Sequence, residues 1–134
     1  MAKLGAHHRG FLRYDTQVSL RGVFWYPPGG FDSWHTDGTL AQGWRLYLID
    51  PDPRQASNSS YLAYRDSASG AYVRVADAAS RINMFEVNAA APLWHAVAST
   101  RGHRLSVGLA ISDATAAMLL RRLAAHSTHA EGQQ

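Results

Sequence analysis

Short apolar segments, which either alternate with a period of two or run continuously, recur along this chain, and turn-forming residues separate them. This alternation is typical of β-strands with one buried face, while Gly, Pro, Asp, Asn and Ser between the segments indicate turns. Eight segments are predicted as strands: Val18 to Tyr26, Trp34 to Asp37, Trp44 to Ile49, Ser60 to Arg65, Ala71 to Val75, Arg81 to Val87, Leu93 to Ala98 and Arg104 to Ile111. Short strands at this spacing predict a jelly-roll or barrel that closes two sheets over one core.

A helix is predicted after the last strand. A Ser-Asp pair at residues 112–113 is a suitable N-cap, and Ala114 to Ala125 carry Ala, Met, Leu and Arg at helical spacing. The residues expected to face the sheet are Met118, Leu119 and Leu123. The polar stretch from His126 to Gln134 is expected to be a disordered tail. The predicted class is therefore all-β with minor α.

Composition limits the number of domains and the kind of metal site. With 134 residues and 46% hydrophobic content, the chain can form one ordinary hydrophobic core, and we expect a single domain over residues 1–125. Because the chain has no cysteine, it has neither disulfides nor thiolate ligands. Any metal must be bound by nitrogen and oxygen atoms.

The charge pattern does not identify a nucleic-acid partner. The net charge is +3, but the arginines are scattered among carboxylates and only Arg121 and Arg122 are adjacent. No apolar run approaches the roughly 20 residues of a membrane helix, and the first residues lack the apolar core of a signal peptide. We expect a cytoplasmic protein that acts without a membrane.

Two histidines and one aspartate are candidate metal ligands. His35 and Asp37 are two residues apart, so they project to the same side of an extended segment. On its own, Asp37 could simply cap the Gly-Thr turn that follows it. His95, however, lies between Trp94 and Val97 in an apolar strand, where a buried imidazole needs a partner. Two imidazoles and a carboxylate can bind one face of an octahedral metal and leave the opposite face open.

The last predicted strand brings an arginine to the same interior. Arg104, Ser106, Gly108 and Ala110 alternate and therefore share a face. An inward arginine is costly unless its charge is matched, and a carboxylate matches it with bidentate geometry. The alternative is a surface arginine at the mouth of a strand, and position alone does not decide between them.

The order of these motifs resembles the iron(II)- and 2-oxoglutarate-dependent dioxygenase superfamily, in particular its prolyl-hydroxylase-like branch and the small members of that branch found in phage genomes. The resemblance covers Val23 to Ile111, most of the chain. The motifs that carry it are Tyr26 to Gly30, Trp34 to Asp37, Trp44 to Ile49, Tyr61 to Asp66, Asn83 to Phe85, Pro92 to Val97 and Arg104 to Gly108.

The resemblance implies a double-stranded β-helix fold and a set of site residues. His35, Asp37 and His95 would be the catalytic iron ligands. Arg104 and Ser106 would bind the far carboxylate of 2-oxoglutarate. The implied reactants are Fe(II), 2-oxoglutarate and O2, with ascorbate as an additional reductant. The implied reaction is hydroxylation of a C–H bond with release of succinate and CO2.

The resemblance also implies that Tyr26 contacts the co-substrate, although Tyr47 and Tyr64 could do the same. The primary substrate stays open between a small molecule and a peptide. About seventeen residues precede the first predicted strand, whereas many relatives have N-terminal helices that cover a sheet; a homo-oligomer is therefore one expectation. Two other functions stay open: a cupin-like metal enzyme that does not use 2-oxoglutarate, and a catalytically silent metal- or ligand-binding protein.

Overall fold

The computed structural model describes residues 18–37, 42–55, 58–79 and 81–130. The elements are β1 (Ser19–Tyr26), β2 (Phe31–His35), β3 (Gly43–Pro51), β4 (Ser60–Arg65), β5 (Tyr72–Ala76), β6 (Arg81–Val87), β7 (His95–Ser99), β8 (Arg104–Ile111) and α1 (Asp113–Ala130). Within these residues, the strands form two four-stranded antiparallel sheets, ordered β1-β8-β3-β6 and β2-β7-β4-β5. The prediction of an all-β jelly-roll with one C-terminal helix is confirmed.

We call β1-β8-β3-β6 the major sheet, and its two faces differ in character. Tyr47 pairs with Gly108, and Ile49 pairs with Ser106, so these residues share the face that looks toward the other sheet. Leu46 and Ile111 point the other way and are buried against the helix residue Ala116. Because side chains alternate along a strand, a register shift of one residue would exchange the two faces.

The helix α1 covers only part of the outer face of the major sheet. Ala116 is fully buried, and Leu119, one turn later, packs against the same core. The prediction that Met118 and Leu123 face the sheet is wrong, since both are exposed. The face that contacts the core begins at Ala116, and the helix has passed the edge of the packed region by Leu123. Four apolar residues of the outer face are exposed: Val23, Trp25, Leu48 and Ile82.

The helix also ends later than predicted. It continues to Ala130, beyond the predicted boundary at Ala125 and into the predicted tail. Residues 126–130 contain neither glycine nor proline, so nothing in their backbone chemistry ends the helix there. Residues 131–134 lie outside the described residues. No helix in the described ranges combines the length and apolar character needed to cross a membrane.

A tight turn carries the chain from the major sheet to the second sheet. The Gly30 N–H donates to the Pro27 carbonyl oxygen at 2.8 Å, and Gly29 between them has φ = 78°. Proline at the second position and a glycine with positive φ at the third fit a type II turn. Backbone bonds of 2.8 Å from the Gly29 N–H to the Ser99 carbonyl, and from the Ser99 N–H to the Gly30 carbonyl, fix the turn against β7. Tyr26 and His35 thereby enter the same interior from opposite sheets.

Candidate metal centre and its cavity

The two sheets enclose a cavity of about 340 Å³. The six residues predicted to form the site all line it: His35, Asp37, His95, Arg104, Ser106 and Tyr26. Four of them are the last or first residues of strands β1, β2, β7 and β8. Ser106 lies two residues into β8, and Asp37 follows β2. The long-range pairing of the strands therefore brings together residues that are up to 80 positions apart in the sequence, from Tyr26 to Ser106.

His35, Asp37 and His95 form one cluster. His35 ends β2, His95 begins β7, and the two are direct cross-strand partners, which places both imidazoles on one face. Their ring centroids are 4.3 Å apart. Asp37 follows two residues after His35, and its Oδ1 lies 3.9 Å from His35 Nε2. One ligand atom from each residue lies within 4.8 Å of the others, so a single ion can contact all three.

The imidazole tautomers suit metal binding. His35 Nδ1 lies 2.6 Å from the Ser33 carbonyl oxygen, and His95 Nδ1 lies 3.1 Å from the Leu93 carbonyl oxygen. A carbonyl oxygen only accepts hydrogen bonds, so Nδ1 is the protonated nitrogen in each ring and Nε2 keeps its lone pair. Burial lowers the pKa of His95, which favours the neutral ring that a metal requires. Backbone carbonyls commonly orient metal-binding histidines in this way.

Asp37 provides an independent test of whether these residues fit a metal ion. Asp37 Oδ2 is buried and has no hydrogen-bond donor among the described residues. A buried carboxylate oxygen without a partner is unfavourable, and such groups are rare in folded proteins. A divalent cation among the three ligand atoms would satisfy this oxygen. Two imidazole nitrogens and one carboxylate suit iron, zinc or manganese, so the donor set fits Fe(II) without selecting it.

Arg104 is buried at the other end of the cavity, and the residue that balances its charge is Asp77. Only 2% of the Arg104 surface is exposed, and its Nε donates to Asp77 Oδ2 at 2.6 Å. The Asp77 side chain is itself fully buried. From the sequence, a ligand carboxylate is expected to match this charge; in the structure the match is Asp77, which lies 27 positions away in the loop after β5 and which no local sequence signal indicates. Burial of Arg104 alone therefore does not require an external carboxylate.

The bond to Asp77 leaves Arg104 with further binding capacity. A guanidinium has several N–H donors in a fixed fork, and Asp77 bonds to the one on Nε. The guanidinium also lines the cavity, with Ser106 two residues along the same face and the Tyr26 ring centroid 5.5 Å from Cζ. A carboxylate entering the cavity can thus meet Arg104, the Ser106 hydroxyl and the Tyr26 hydroxyl.

Tyr47 forms part of the wall between the two ends. Its ring stacks on Phe85 with centroids 5.7 Å apart, and the Phe24 ring lies at 6.4 Å. Burial, together with the negative charge of Asp37, raises the pKa of Tyr47 to about 12. Its hydroxyl therefore stays protonated and can donate a hydrogen bond. Of the three tyrosines considered from the sequence, Tyr26 and Tyr47 line this cavity and Tyr64 does not.

Gly108 makes room for the Tyr47 ring. A Cβ atom at position 108 would lie 2.7 Å from Tyr47 Cε1, which is closer than real contacts allow. We expect Gly108→Ala to lower the free energy of unfolding by about 1–3 kcal/mol, the usual cost of overpacking. Chemical denaturation measures this change. In a Tyr47→Leu background the same substitution should cost clearly less, and equal costs in both backgrounds would show that the ring is not the obstacle.

Comparison with known proteins supports the fold. The chain is similar to a prolyl-4-hydroxylase from Pseudomonas putida, with a TM-score of 0.59 and 20% identity over 78% of this chain and 56% of that chain. A cupin domain from Bordetella pertussis Tohama I has a TM-score of 0.43 and 14% identity, over 72% of this chain and 82% of that domain. No protein-family model and no curated protein matches the sequence. The chain thus spans about half the length of the hydroxylase, and the likeness shows a shared double-stranded β-helix fold.

Proposed function

We propose that this protein is an iron(II)- and 2-oxoglutarate-dependent oxygenase that hydroxylates a C–H bond and releases succinate and CO2. The observation that carries the proposal is the cluster of His35, Asp37 and His95 in a cavity that also contains Arg104. The three ligands would occupy one face of the metal, which leaves room for a chelating co-substrate and dioxygen. When bound, Fe(II) with 2-oxoglutarate and O2 supplies the oxidising power for the reaction.

The protein's own residues would position the reactants and keep water away. Arg104 and Ser106 would bind the far carboxylate of 2-oxoglutarate, while the Tyr26 or Tyr47 hydroxyl donates a further hydrogen bond. Phe24 and Phe85, with Tyr47, form an apolar wall beside the ligand cluster. A cavity of about 340 Å³ is near the small end of ligand pockets, which are roughly 300–1,000 Å³. It therefore favours a small molecule, or one side chain of a peptide, as the group that reacts.

One specific observation favours a second candidate, a cupin-like metal enzyme that does not use 2-oxoglutarate. Asp77 already balances the charge of Arg104, so the buried arginine has a role without a bound dicarboxylate. In that case Arg104 and Asp77 would be a structural pair, and only the metal cluster would be functional. Consumption of 2-oxoglutarate separates the two candidates.

The test is reconstitution with Fe(II) and 2-oxoglutarate. Under anaerobic conditions the wild-type protein should develop a weak visible charge-transfer band, and admitting air should convert 2-oxoglutarate to succinate even without the primary substrate, although slowly. His95→Ala should lose both signals because it removes one iron ligand. His103→Ala is the matched control, since His103 contacts Asp52 and does not line the cavity. A folded wild-type protein that shows neither band nor succinate would contradict the oxygenase proposal.

A further inference from the structure

We propose that the outer face of the second sheet, β2-β7-β4-β5, is a binding platform for single-stranded nucleic acid. The platform is independent of the proposed function, because it lies on the opposite side of this sheet from the metal cavity. His95 and Val97 line the cavity, so the residues that alternate with them along β7, Ala96 and Ala98, face outward. An open groove on that side is lined by both alanines.

Aromatic, small and basic residues dominate this outer face. Strand pairing with Ala96 and Ala98, and alternation along each strand, identify its members. Solvated sheet faces are usually polar. Here, apart from Ser33 beside the irregularity in β2, the outward residues in the described part of the sheet include no carboxylate; they are Phe31, Trp34, Tyr61, Tyr72, Trp94, Ala63, Ala76, Ala96, Ala98, Arg65 and Arg74.

The aromatic rings lie across the sheet and leave surface open to solvent. Trp34 on β2 and Tyr72 on β5 come from the two edge strands, and their ring centroids are 5.3 Å apart in an edge-to-face arrangement. They can meet because β7 and β4, which lie between them, contribute only the paired alanines Ala96 and Ala63 at this level. Tyr72 is 73% exposed and Phe31 is 71% exposed. Their ring faces are therefore available for stacking.

The charges on this face are positive. The Arg74 guanidinium lies 3.7 Å from the centroid of the Tyr61 ring, and a stacked guanidinium still has N–H donors at its edge. Arg65 is exposed on the neighbouring strand, and neither arginine forms an ion pair within the residues that the structure describes. Asp32 borders the groove, but its Oδ1 lies 3.7 Å from His35 Nδ1, toward the cavity. The face is therefore complementary to a polyanion.

Rings and arginines on one face match the two parts of an unpaired nucleotide. The rings offer stacking surfaces to bases, and the guanidinium groups offer donors to phosphates. A duplex keeps its bases stacked on each other, so it cannot use the rings. An apolar protein surface would use the rings but would gain nothing from the arginines. RNA-recognition domains bind single strands in this way, through exposed aromatic residues on a four-stranded sheet.

The test measures fluorescence anisotropy of a labelled oligothymidylate of about ten nucleotides, titrated with the full-length, metal-free protein at low salt. Oligouridylate of the same length is titrated in parallel; binding of either strand supports the proposal, and the tighter one distinguishes DNA from RNA. Tyr72→Ala should raise the Kd about 5- to 150-fold, the usual effect of removing one stacking aromatic residue. Trp25→Ala is the matched control and should leave the Kd unchanged, because Trp25 is 62% exposed on the other sheet.

Salt dependence tests the arginines separately from the rings. The logarithm of the binding constant should fall linearly with the logarithm of the salt concentration, and Arg74→Gln should reduce the slope by about 0.7, the value for one phosphate contact on a single strand. Arg122→Gln is the matched control, since Arg122 is exposed on α1, which packs on the major sheet. Its slope should equal that of the wild type.

Several outcomes would overturn the proposal. They are the absence of binding to either strand, binding that does not depend on salt, equal losses in Tyr72→Ala and Trp25→Ala, and equally tight binding of a duplex of the same length. If Tyr72→Ala does not fold, Phe31→Ala at the other edge of the sheet takes its place and should show the same loss. Tyr72→Ala should leave conversion of 2-oxoglutarate unchanged. Failure of the platform and failure of the oxygenase proposal are therefore distinguishable.

Discussion

Replacing Arg104 by glutamine is expected to weaken 2-oxoglutarate binding by about 30-fold to several-thousand-fold, which corresponds to roughly 2–5 kcal/mol. The reason is that a charge-assisted contact in a partly dry cavity would lose its positive partner. Isothermal titration with 2-oxoglutarate in the presence of a redox-inert metal measures the effect. Metal binding should survive, because Arg104 is not part of the ligand cluster.

The buried partner of Arg104 complicates this substitution and also supplies its control. Arg104→Gln alone leaves the Asp77 carboxylate buried without its cation, a change that typically costs about 3–5 kcal/mol of stability. The double variant Arg104→Gln/Asp77→Asn removes both charges and should recover most of that loss. It should not recover 2-oxoglutarate binding. Recovery of both would mean that the arginine serves only the fold.

A neighbouring arginine tests whether the effect is local. Arg101 is exposed and does not line the cavity. Arg101→Gln should therefore bind 2-oxoglutarate as the wild type does. An equal loss of 2-oxoglutarate affinity in Arg101→Gln and Arg104→Gln would point to general charge effects. An unchanged 2-oxoglutarate affinity in Arg104→Gln/Asp77→Asn would favour the cupin-like candidate.

Replacing Asp37 by alanine is expected to abolish turnover while leaving the metal-free fold at least as stable. Asp37 Oδ2 is buried without a hydrogen-bond donor in the described part of the chain, and such a group costs about 1–3 kcal/mol. Removing this carboxylate therefore removes that cost and should leave the metal-free protein at least as stable as the wild type. The loss of activity should exceed the decrease of about 10- to 100-fold that is typical when a residue hydrogen-bonded to a metal ligand is replaced.

Thermal unfolding with and without metal shows whether Asp37 is a metal ligand or only a turn cap. Metal should raise the Tm of the wild type, because an ion that binds only the native state stabilises it, and this increase should disappear in Asp37→Ala. Asp32→Ala is the matched control: Asp32 lines the same cavity and lies 3.7 Å from His35 Nδ1, but it is outside the ligand cluster. Near wild-type turnover in Asp37→Ala with saturating iron would show that the carboxylate is a turn cap.

Local patterning was sufficient to predict most of the strands. The predicted bounds of β4, β6 and β8 agree with the structure, because turn-forming residues flank these short apolar segments. β2 begins at Phe31, three residues before its predicted start. Its first residues are exposed and show no alternation of burial, and they pair with β7 through backbone hydrogen bonds that any sequence can form. Strands of this kind leave little trace in the sequence.

The sequence alone was sufficient to select the candidate metal ligands, but only the tertiary structure decided which charged residues line the cavity and which of them form ion pairs. His35, Asp37 and His95 could be chosen because their residue types and local spacing limit what they can do. Asp77 as the partner of Arg104, and Arg21 as a cavity residue, could not be chosen. The first depends on the loop after β5 meeting the start of β8, 27 positions away, and the second on a one-residue bulge in β1. Both follow from sheet stacking and strand register, which are set by contacts over the whole chain and not by neighbouring residues.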